Sequence, residues 1–276
     1  MLIINADDWG RSRAETDAAL HCYEKQRVTS VSAMVFMTDS ERAADIAKEK
    51  RVDSGLHLNF SEEFTGNLVD ATLRNYHQRI VRFLTRNKYS QVLYNPVLRK
   101  EFAYSYQAQV EEFVRLYGKS PSHLDGHHHM HLCANLLWSE FVPAGANMRR
   151  NFSFWPGEKS ALNRAYRRLV DRWLARKYRI SDYFFDLTQS IREKKLERVA
   201  TLAKASDVEL MTHPILPLEM NLLMSDEMGL LLQSIEAGNF SRLGVVASAA
   251  QEASPTIQHC SPLMRESGRH PSVEAP

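Results

Sequence analysis

The 276-residue sequence has few cysteines and no long apolar run. Its three cysteines, Cys22, Cys133 and Cys260, are widely spaced and none belongs to a CxxC pair, which predicts reduced thiols rather than a disulfide framework. No segment approaches the roughly 18 apolar residues that a membrane-spanning helix needs. The composition therefore excludes a disulfide-rich domain and predicts that no transmembrane segment is present.

The sequence also lacks a large charge of either sign. Its 35 basic and 33 acidic residues give a formal net charge of +2 at pH 7. Because nucleic-acid-binding proteins use a basic excess to neutralise phosphates, nucleic acid is not an expected partner. Residues 1–6 lead directly into Asp7 and Asp8 without the basic, apolar and small-residue regions of a signal peptide, so a cytoplasmic protein is expected.

Histidine is concentrated at one place. Five of the eleven histidines lie within nine residues: His123, His127, His128, His129 and His131. These imidazoles lie in the middle of the chain, between strand and helix signals. Their density therefore indicates a functional site rather than a terminal tag.

Short apolar segments alternate with amphipathic ones along the chain. We predict strands at 1–6, 29–37, 55–60, 122–125, 183–186, 208–212 and 243–247, and a turn and strand over 145–152. We predict helices at 12–25, 39–50, 72–87, 94–117, 137–141, 160–178, 189–205 and 225–237. This alternation is typical of parallel strands with right-handed crossovers, and it predicts an α/β fold, a closed or nearly closed β/α barrel.

No internal repeat and no Gly/Ser linker divides the body of the sequence. We therefore assign residues 1–248 to one barrel domain. From residue 249 the chain is rich in Ser, Pro, Glu and Gln without periodicity, and residues 249–276 are expected to form a disordered tail.

Four groups of polar residues fall where predicted strands end: the Asp7–Asp8 pair, His57, residues 123–131 and His213. In a β/α barrel the carboxyl ends of all strands open onto one face, so these distant segments are expected to converge there.

The converging residues suit metal-assisted hydrolysis of an amide or ester. Asp8, His57 and His127 form a competent ligand set for a divalent cation. Asp7 can accept a proton from a metal-bound water, and a protonated His213 can donate one to the leaving group.

Each residue also has a structural interpretation. The aspartate pair can mark a turn, His57 can be a hydrogen-bonded core residue, and His213, before Pro214, can belong to a turn. Their common position on one predicted face favours the functional interpretation.

Four segments carry a resemblance to a known family: NADDWG at 5–10, GLHLN at 55–59, SHLDGHHHMH at 122–131 and ELMTHP at 209–214. In their order and spacing they resemble the YdjC-like carbohydrate deacetylases, which include chitooligosaccharide and hopanoid-associated deacetylases. The resemblance implies a distorted, incomplete β/α (TIM-like) barrel related to NodB-type polysaccharide deacetylases.

By matching position, the resemblance implies that Asp8, His57 and His127 are metal ligands, that Asp7 is the general base and that His213 is the general acid. It gives supporting or substrate-binding roles to Asp125, His129, His131, Arg149 and Trp9. Trp9 stands where Phe is usual in the family and is expected to form an aromatic wall.

The leading hypothesis is a metal-dependent hydrolase that removes acetyl groups from an N-acetylated sugar, in an oligosaccharide, a glycolipid or a polysaccharide precursor. The donor set admits either Mg²⁺ or Zn²⁺ as the single divalent cofactor. The alternatives are a non-catalytic metal- or carbohydrate-binding barrel and a metal hydrolase acting on phosphoesters. A homodimer is also left open.

Residues 164–179 (RAYRRLVDRWLARKYR) form an unusually basic segment. One interpretation is the solvated outer face of a barrel helix, with Ala165, Leu169 and Trp173 turned inward. The other is a peripheral contact with an anionic surface, either a membrane leaflet or an acidic glycan.

Overall fold

In the computed structural model, which describes residues 1–155 and 157–243, strand β1 (Leu2–Trp9) lies at the centre of a parallel sheet. The other strands are β2 (Ser30–Ala33), β3 (Ser54–Leu58), β4 (Leu124–Gly126), β5 (Tyr183–Asp186), β6 (Val208–Thr212) and β7 (Ala237–Gly238). The order is β4-β3-β2-β1-β6-β5, and β7 pairs with the first residues of β1. Because every pairing is parallel, the carboxyl ends of the strands face one side.

Helices connect the strands. They are α1 (Arg13–Glu24), α2 (Ser40–Lys50), α3 (Ala71–Leu84), α4 (Arg99–Tyr117), α5 (Ala134–Leu137), α6 (Ala161–Lys177), α7 (Leu187–Arg192), α8 (Leu196–Ala203), α9 (Pro217–Leu223) and α10 (Asp226–Gln233). Short 3-10 helices lie at Ser90–Val92, Pro96–Leu98, His127–Leu132 and Phe240–Arg242. None of the helices in the described ranges combines the length and apolarity that a membrane crossing requires.

The gap between β4 and β5 is bridged by residues 146–153. On one side Leu124 donates its N–H to the Asn147 carbonyl at 2.9 Å, and on the other Ser153 donates to the Phe184 carbonyl at 2.8 Å. The segment makes only isolated bridges, at Asn147 and Met148, within the ranges that the structure describes. The strand predicted at 145–152 is therefore reduced to bridges, and the barrel is distorted and incomplete, as expected.

Alternation along β1 separates an apolar exterior from a polar interior. Leu2, Ile4 and Ala6 belong to the main apolar core, which also contains buried residues of α1 and α2. Asn5 points the other way and donates a hydrogen bond to Ser32 at 2.7 Å, while Ile3 packs in a small separate cluster. The barrel therefore encloses hydrogen-bonding groups instead of a purely apolar filling.

Several elements differ from the sequence prediction. Strand β1 continues to Trp9 rather than ending at Ala6, because a left-handed Asp8 (φ 64°) lets the chain remain paired through a bulge. The helix expected at 189–205 is divided into α7 and α8, with Lys194 at φ 53° between them. The prediction of a helix at 137–141 is wrong, because α5 ends at Leu137.

Other predictions hold or fall outside the described residues. The strands predicted at 183–186 and 208–212 have the predicted bounds, and α9 was not predicted. Cys22 and Cys133 are buried free thiols, as expected. Cys260, the domain boundary at 248, the tail at 249–276 and all of the predicted last strand except Leu243 lie outside the described residues.

The close packing around Gly55 in β3 predicts that a larger side chain there destabilises the protein. A Cβ there would lie 2.3 Å from the His123 ring, which stacks on Phe240 with ring centroids 3.7 Å apart. We expect Gly55→Ala to lower the free energy of unfolding by about 1–3 kcal/mol, as overpacking does. Urea unfolding measures this. Gly229→Ala in α10, where the close neighbour is the tip of Arg27, is the control and should not destabilise. Equal losses in both variants would contradict the account.

Candidate active site

Asp8, His57 and His127 converge at the carboxyl ends of β1, β3 and β4. Asp8 Oδ1 lies 2.9 Å from His127 Nδ1 and 3.4 Å from His57 Nε2. Each residue offers one potential ligand atom, and the three atoms lie within 4.8 Å of one another. All three side chains are buried. The structure thus brings together the residues that sequence reasoning grouped as a metal site.

The bulge in β1 explains why two consecutive aspartates serve the same site. Neighbouring side chains of a regular strand point to opposite faces of the sheet. The register of β1 against β2 shifts between Ala6 and Trp9, and Asp8 adopts φ 64°. This local conformation turns both Asp7 and Asp8 towards His57, whose Nε2 lies 3.9 Å from Asp7 Oδ2.

Buried polar atoms without a regular hydrogen bond indicate that this cluster suits a cation. Asp8 Oδ1 and His127 Nε2 are buried and form no hydrogen bond of regular geometry with the residues that the structure describes, although Asp8 Oδ1 lies 2.9 Å from His127 Nδ1 and His127 Nε2 lies 3.4 Å from Glu62 Oε2. His57 donates from Nδ1 to Asp125 Oδ1 at 2.8 Å, which directs its Nε2 towards Asp8. One carboxylate and two imidazoles held in this way fit a divalent metal ion.

The ionisation of the cluster reflects its buried opposite charges. Burial opposes the charged form of Asp8, but the adjacent His127 and His57 outweigh it and lower the Asp8 pKa. Burial likewise opposes protonation of His57, but Asp125 and Asp7 raise its pKa to about 10. A cation bound to these ligands would replace the proton of His57.

A buried arginine orients Asp7. Arg149 is fully buried and donates to both oxygens of Asp7, at 2.7 Å each. It also contacts Asp125 Oδ2 at 2.8 Å and donates from Nε to Glu209 Oε1 at 2.6 Å. Burial acts against the guanidinium charge, but Asp125, Asp7 and Glu209 raise the Arg149 pKa well above its usual value. Asn5 adds a hydrogen bond of 2.9 Å to Asp7.

Glu209 is a site residue that sequence reasoning missed. It lies in β6, is fully buried, and its Oε2 has no hydrogen-bond partner in the described part of the chain. Burial raises its pKa to about 7 in spite of Arg149. An acidic residue inside the otherwise apolar strand VELMT was the available signal.

The other predicted histidines lie around the cluster. His131 is fully buried and its Nε2 lies 3.1 Å from the Arg149 carbonyl oxygen, so it supports the backbone of that residue. His129 is partly exposed and packs edge-on against Phe152, with ring centroids 4.5 Å apart. His123 contacts Ser32 Oγ at 3.0 Å, deeper in the barrel.

His213 follows β6 and lies beside Asp8. Its Nε2 is 4.0 Å from Asp8 Oδ2, and its side chain is 27% exposed, so it is accessible to a ligand. Its backbone N–H donates to Glu219 at 2.5 Å, and Thr212 donates to the same oxygen at 2.7 Å. These bonds fix the turn that presents the imidazole.

Trp9 is placed away from the cluster. It is fully buried and its indole N–H donates to the Ala43 carbonyl of α2 at 3.1 Å. The expectation that it forms an aromatic wall of the cleft is therefore corrected, because the bulge at Asp8 turns this side chain outward to the helices.

A cleft of about 330 Å³ opens beside the cluster. His128 and His129 line it from the active-site side, Phe152 from the bridging segment, and Asn163 and Tyr166 from α6. The cleft therefore provides polar and aromatic contacts next to the candidate metal ligands.

A family model described as YdjC-like protein matches residues 1–234. The chain belongs to the YdjC-like family. The resemblance noted in the four sequence segments is thereby confirmed.

Two relatives of this YdjC-like protein align over most of its length. A chitooligosaccharide deacetylase of Proteus mirabilis (strain HI4320) is 27% identical over 228 residues, covering 78% of this chain and 81% of that protein. A carbohydrate deacetylase of Vibrio vulnificus (strain CMCP6) is 28% identical over 270 residues, covering 88% and 96%.

A solved structure shares the fold of this YdjC-like protein. It is an Enterococcus faecalis V583 protein named for cellobiose-phosphate cleavage, and it aligns with a TM-score of 0.62 at 19% identity. The alignment covers 88% of this chain and 98% of that chain. The predicted α/β fold, a distorted incomplete β/α barrel, is thus confirmed.

The buried ion pairs of Arg149 predict that replacing this residue destabilises the protein. In Arg149→Met the buried carboxylates of Asp7, Asp125 and Glu209 lose their shared cation, so the free energy of unfolding should fall by about 3–5 kcal/mol. Chemical denaturation measures the change. Arg150→Met, which removes a partly buried pair with Asp171, is the neighbouring control and should cost less. An Arg149→Met protein as stable as the wild type would contradict the role of Arg149.

Proposed function

We propose that the protein is a metal-dependent hydrolase that removes acetyl groups from an N-acetylated sugar. Membership of a family whose relatives are named chitooligosaccharide and carbohydrate deacetylases makes the chain an enzyme that acts on amide bonds. The observation that carries the proposed mechanism is the bulge in β1, because it directs Asp7 and Asp8 into one site with different neighbours.

Asp8, His57 and His127 are the residues that would hold the cation. Their donor types suit Mg²⁺ or Zn²⁺, and the buried Asp8 Oδ1, which forms no regular hydrogen bond with the described residues, supports the assignment. A divalent cation held there would supply Lewis acidity for the acetyl carbonyl and for water. Asp125 supports this arrangement through its hydrogen bond with His57.

Asp7 is the proposed general base. Arg149 donates to both of its oxygens and fixes the orientation of the carboxylate, which would accept a proton from the attacking water. Asp7 therefore binds the guanidinium through both oxygens, whereas Asp8 directs its Oδ1 towards the imidazoles of His57 and His127. The two neighbouring carboxylates therefore take different roles.

His213 is the proposed general acid. It approaches Asp8 Oδ2, whereas His127 contacts Asp8 Oδ1, and its side chain has the exposure needed to reach a leaving group. When the C–N bond of the acetamide breaks, the departing nitrogen must gain a proton, which the His213 imidazolium donates. The turn fixed by Glu219 holds this side chain in position.

The substrate class follows from the family and from the lining of the cleft. Phe152 and Tyr166 offer aromatic surfaces on which a pyranose ring can pack, and Asn163 offers hydrogen bonds to hydroxyl groups. These contacts support a saccharide carrying an N-acetyl group as the substrate.

Substitution of Asp7 separates catalysis from metal binding. We expect Asp7→Asn to lower kcat for acetate release from N-acetylglucosamine oligomers by about 10²–10⁴ while cation binding is retained, because the amide cannot act as the base. His127→Ala should lose both properties, and His21→Ala, on the exposed side of α1, should keep both. Acetate release and calorimetric cation titration are the measurements. Undiminished turnover in Asp7→Asn would exclude Asp7 as the base.

The role of His213 is tested with two leaving groups. We expect His213→Ala to lower kcat on N-acetylated sugars by about 10²–10⁴, because the amine must be protonated as it departs. Hydrolysis of 4-nitrophenyl acetate, whose leaving group departs without a proton, should be largely retained. An equal loss on the two substrates would show that His213 has another role.

A further inference from the structure

Helix α6 exposes the residues that a barrel helix normally buries. Leu162 is 82% exposed, Leu169 is 65% exposed and Tyr166 is 48% exposed. Their spacing places them on one face of the helix. A solvated outer helix would turn Ala165, Leu169 and Trp173 inward. Of these three residues only Trp173 is partly buried, whereas Ala165 is exposed like Leu169. Arg164 and Arg167 are partly buried instead, which contradicts the inward apolar face.

The exposed face of α6 is also basic. Residues 159–179 contain eight Lys and Arg and a single acid, Asp171, which is buried and paired with Arg150 at 2.7 Å. Arg168, Arg172 and Arg176 are exposed, and none forms a salt bridge with a residue in the described ranges. An apolar stripe is therefore flanked by free cations.

The opposite border of the cleft has the same character. Residues 86–100 contain four Lys and Arg and no acid. Leu93 is 57% exposed and Val97 72% exposed. Val92 lines the cleft together with Tyr166 of α6, so the two segments border one opening. Residues 159–179 and 86–100 together hold 12 of the 35 basic residues and one of the 33 acidic residues of the chain.

We propose that these two borders, α6 and residues 86–100, form a docking surface for an anionic lipid bilayer. The exposed side chains of Leu162 and Leu169 enter the interface between headgroups and acyl chains, and the exposed arginines contact anionic headgroups. This combination of apolar and basic residues on a helix without exposed acids is typical of helices that lie on membranes.

Charge argues against a second copy of the chain as the occupant. A two-fold contact through α6 would bring Arg168, Arg172 and Arg176 against the same residues of the other copy. Like charges at close range repel, whereas a leaflet containing anionic lipid attracts them.

Docking through this surface would also orient the cleft relative to the bilayer. The cleft that reaches His128 and His129 opens between the two borders, so docking would turn its mouth towards the lipid headgroups. The inference concerns where the enzyme works and goes beyond the proposed reaction, which can be correct whether or not the protein docks.

The test is co-sedimentation of the full chain with vesicles of phosphatidylcholine, with and without phosphatidylglycerol. We expect at least about tenfold stronger binding to the anionic vesicles, weakened by salt. Leu162→Ser/Leu169→Ser and Arg168→Ser/Arg172→Ser should each lose about tenfold in binding. Leu230→Ser in α10, at a side chain 66% exposed, is the matched control and should bind like the wild type.

Acetate release from soluble N-acetylglucosamine oligomers separates docking from catalysis. Leu162 and Leu169 do not line the cleft, so Leu162→Ser/Leu169→Ser should keep wild-type turnover while it loses vesicle binding. The proposal is overturned if the wild type stays in the supernatant, binds neutral vesicles equally well, or binds no better than both double variants. A dimer abolished by Leu162→Ser/Leu169→Ser without any vesicle binding would assign the face to a second copy and would also overturn it.

Discussion

The guanidinium of Arg149 is the interaction on which the rest of the site depends. It lies without solvent exposure inside the barrel and contacts Asp7 from β1, Asp125 from β4 and Glu209 from β6. Removing such a charge from water is costly unless every donor finds a partner, and here three carboxylates supply them. Because Arg149 belongs to the segment that bridges β4 and β5, the residue that helps close the barrel also orients the proposed base.

The same balance explains why the site suits a cation. Three buried carboxylates, Asp7, Asp125 and Glu209, contact Arg149, whereas the fourth, Asp8, has no contact with the guanidinium and faces the imidazoles of His57 and His127. Asp8 is the one turned away from Arg149 towards the imidazoles, and its low pKa keeps it ionised. A divalent ion there would offset the remaining charge and provide the electrophile that amide hydrolysis requires.

The convergence of Asp8, His57 and His127 could be predicted from the sequence, because parallel strands place their carboxyl ends on one face. The bulge at Asp8 could not, since its left-handed conformation depends on pairing between distant strands. Glu209 was not predicted as a site residue, because no local feature of the sequence identifies Arg149 as the partner that stabilises its buried carboxylate. The orientation of α6 was also unpredictable, because Asp171 pairs with Arg150 and Arg167 lies over the Phe154 ring, and these long-range contacts outweigh the expected inward apolar stripe.

The central claim is that deacetylation depends on a divalent cation held by Asp8, His57 and His127. Acetate release from N-acetylglucosamine oligomers, measured on metal-stripped enzyme resupplied with Mg²⁺ or Zn²⁺ separately, tests it most directly. We expect metal removal to abolish turnover and one of the two ions to restore it. Full acetate release by the metal-stripped enzyme would show that deacetylation does not depend on a cation at this site.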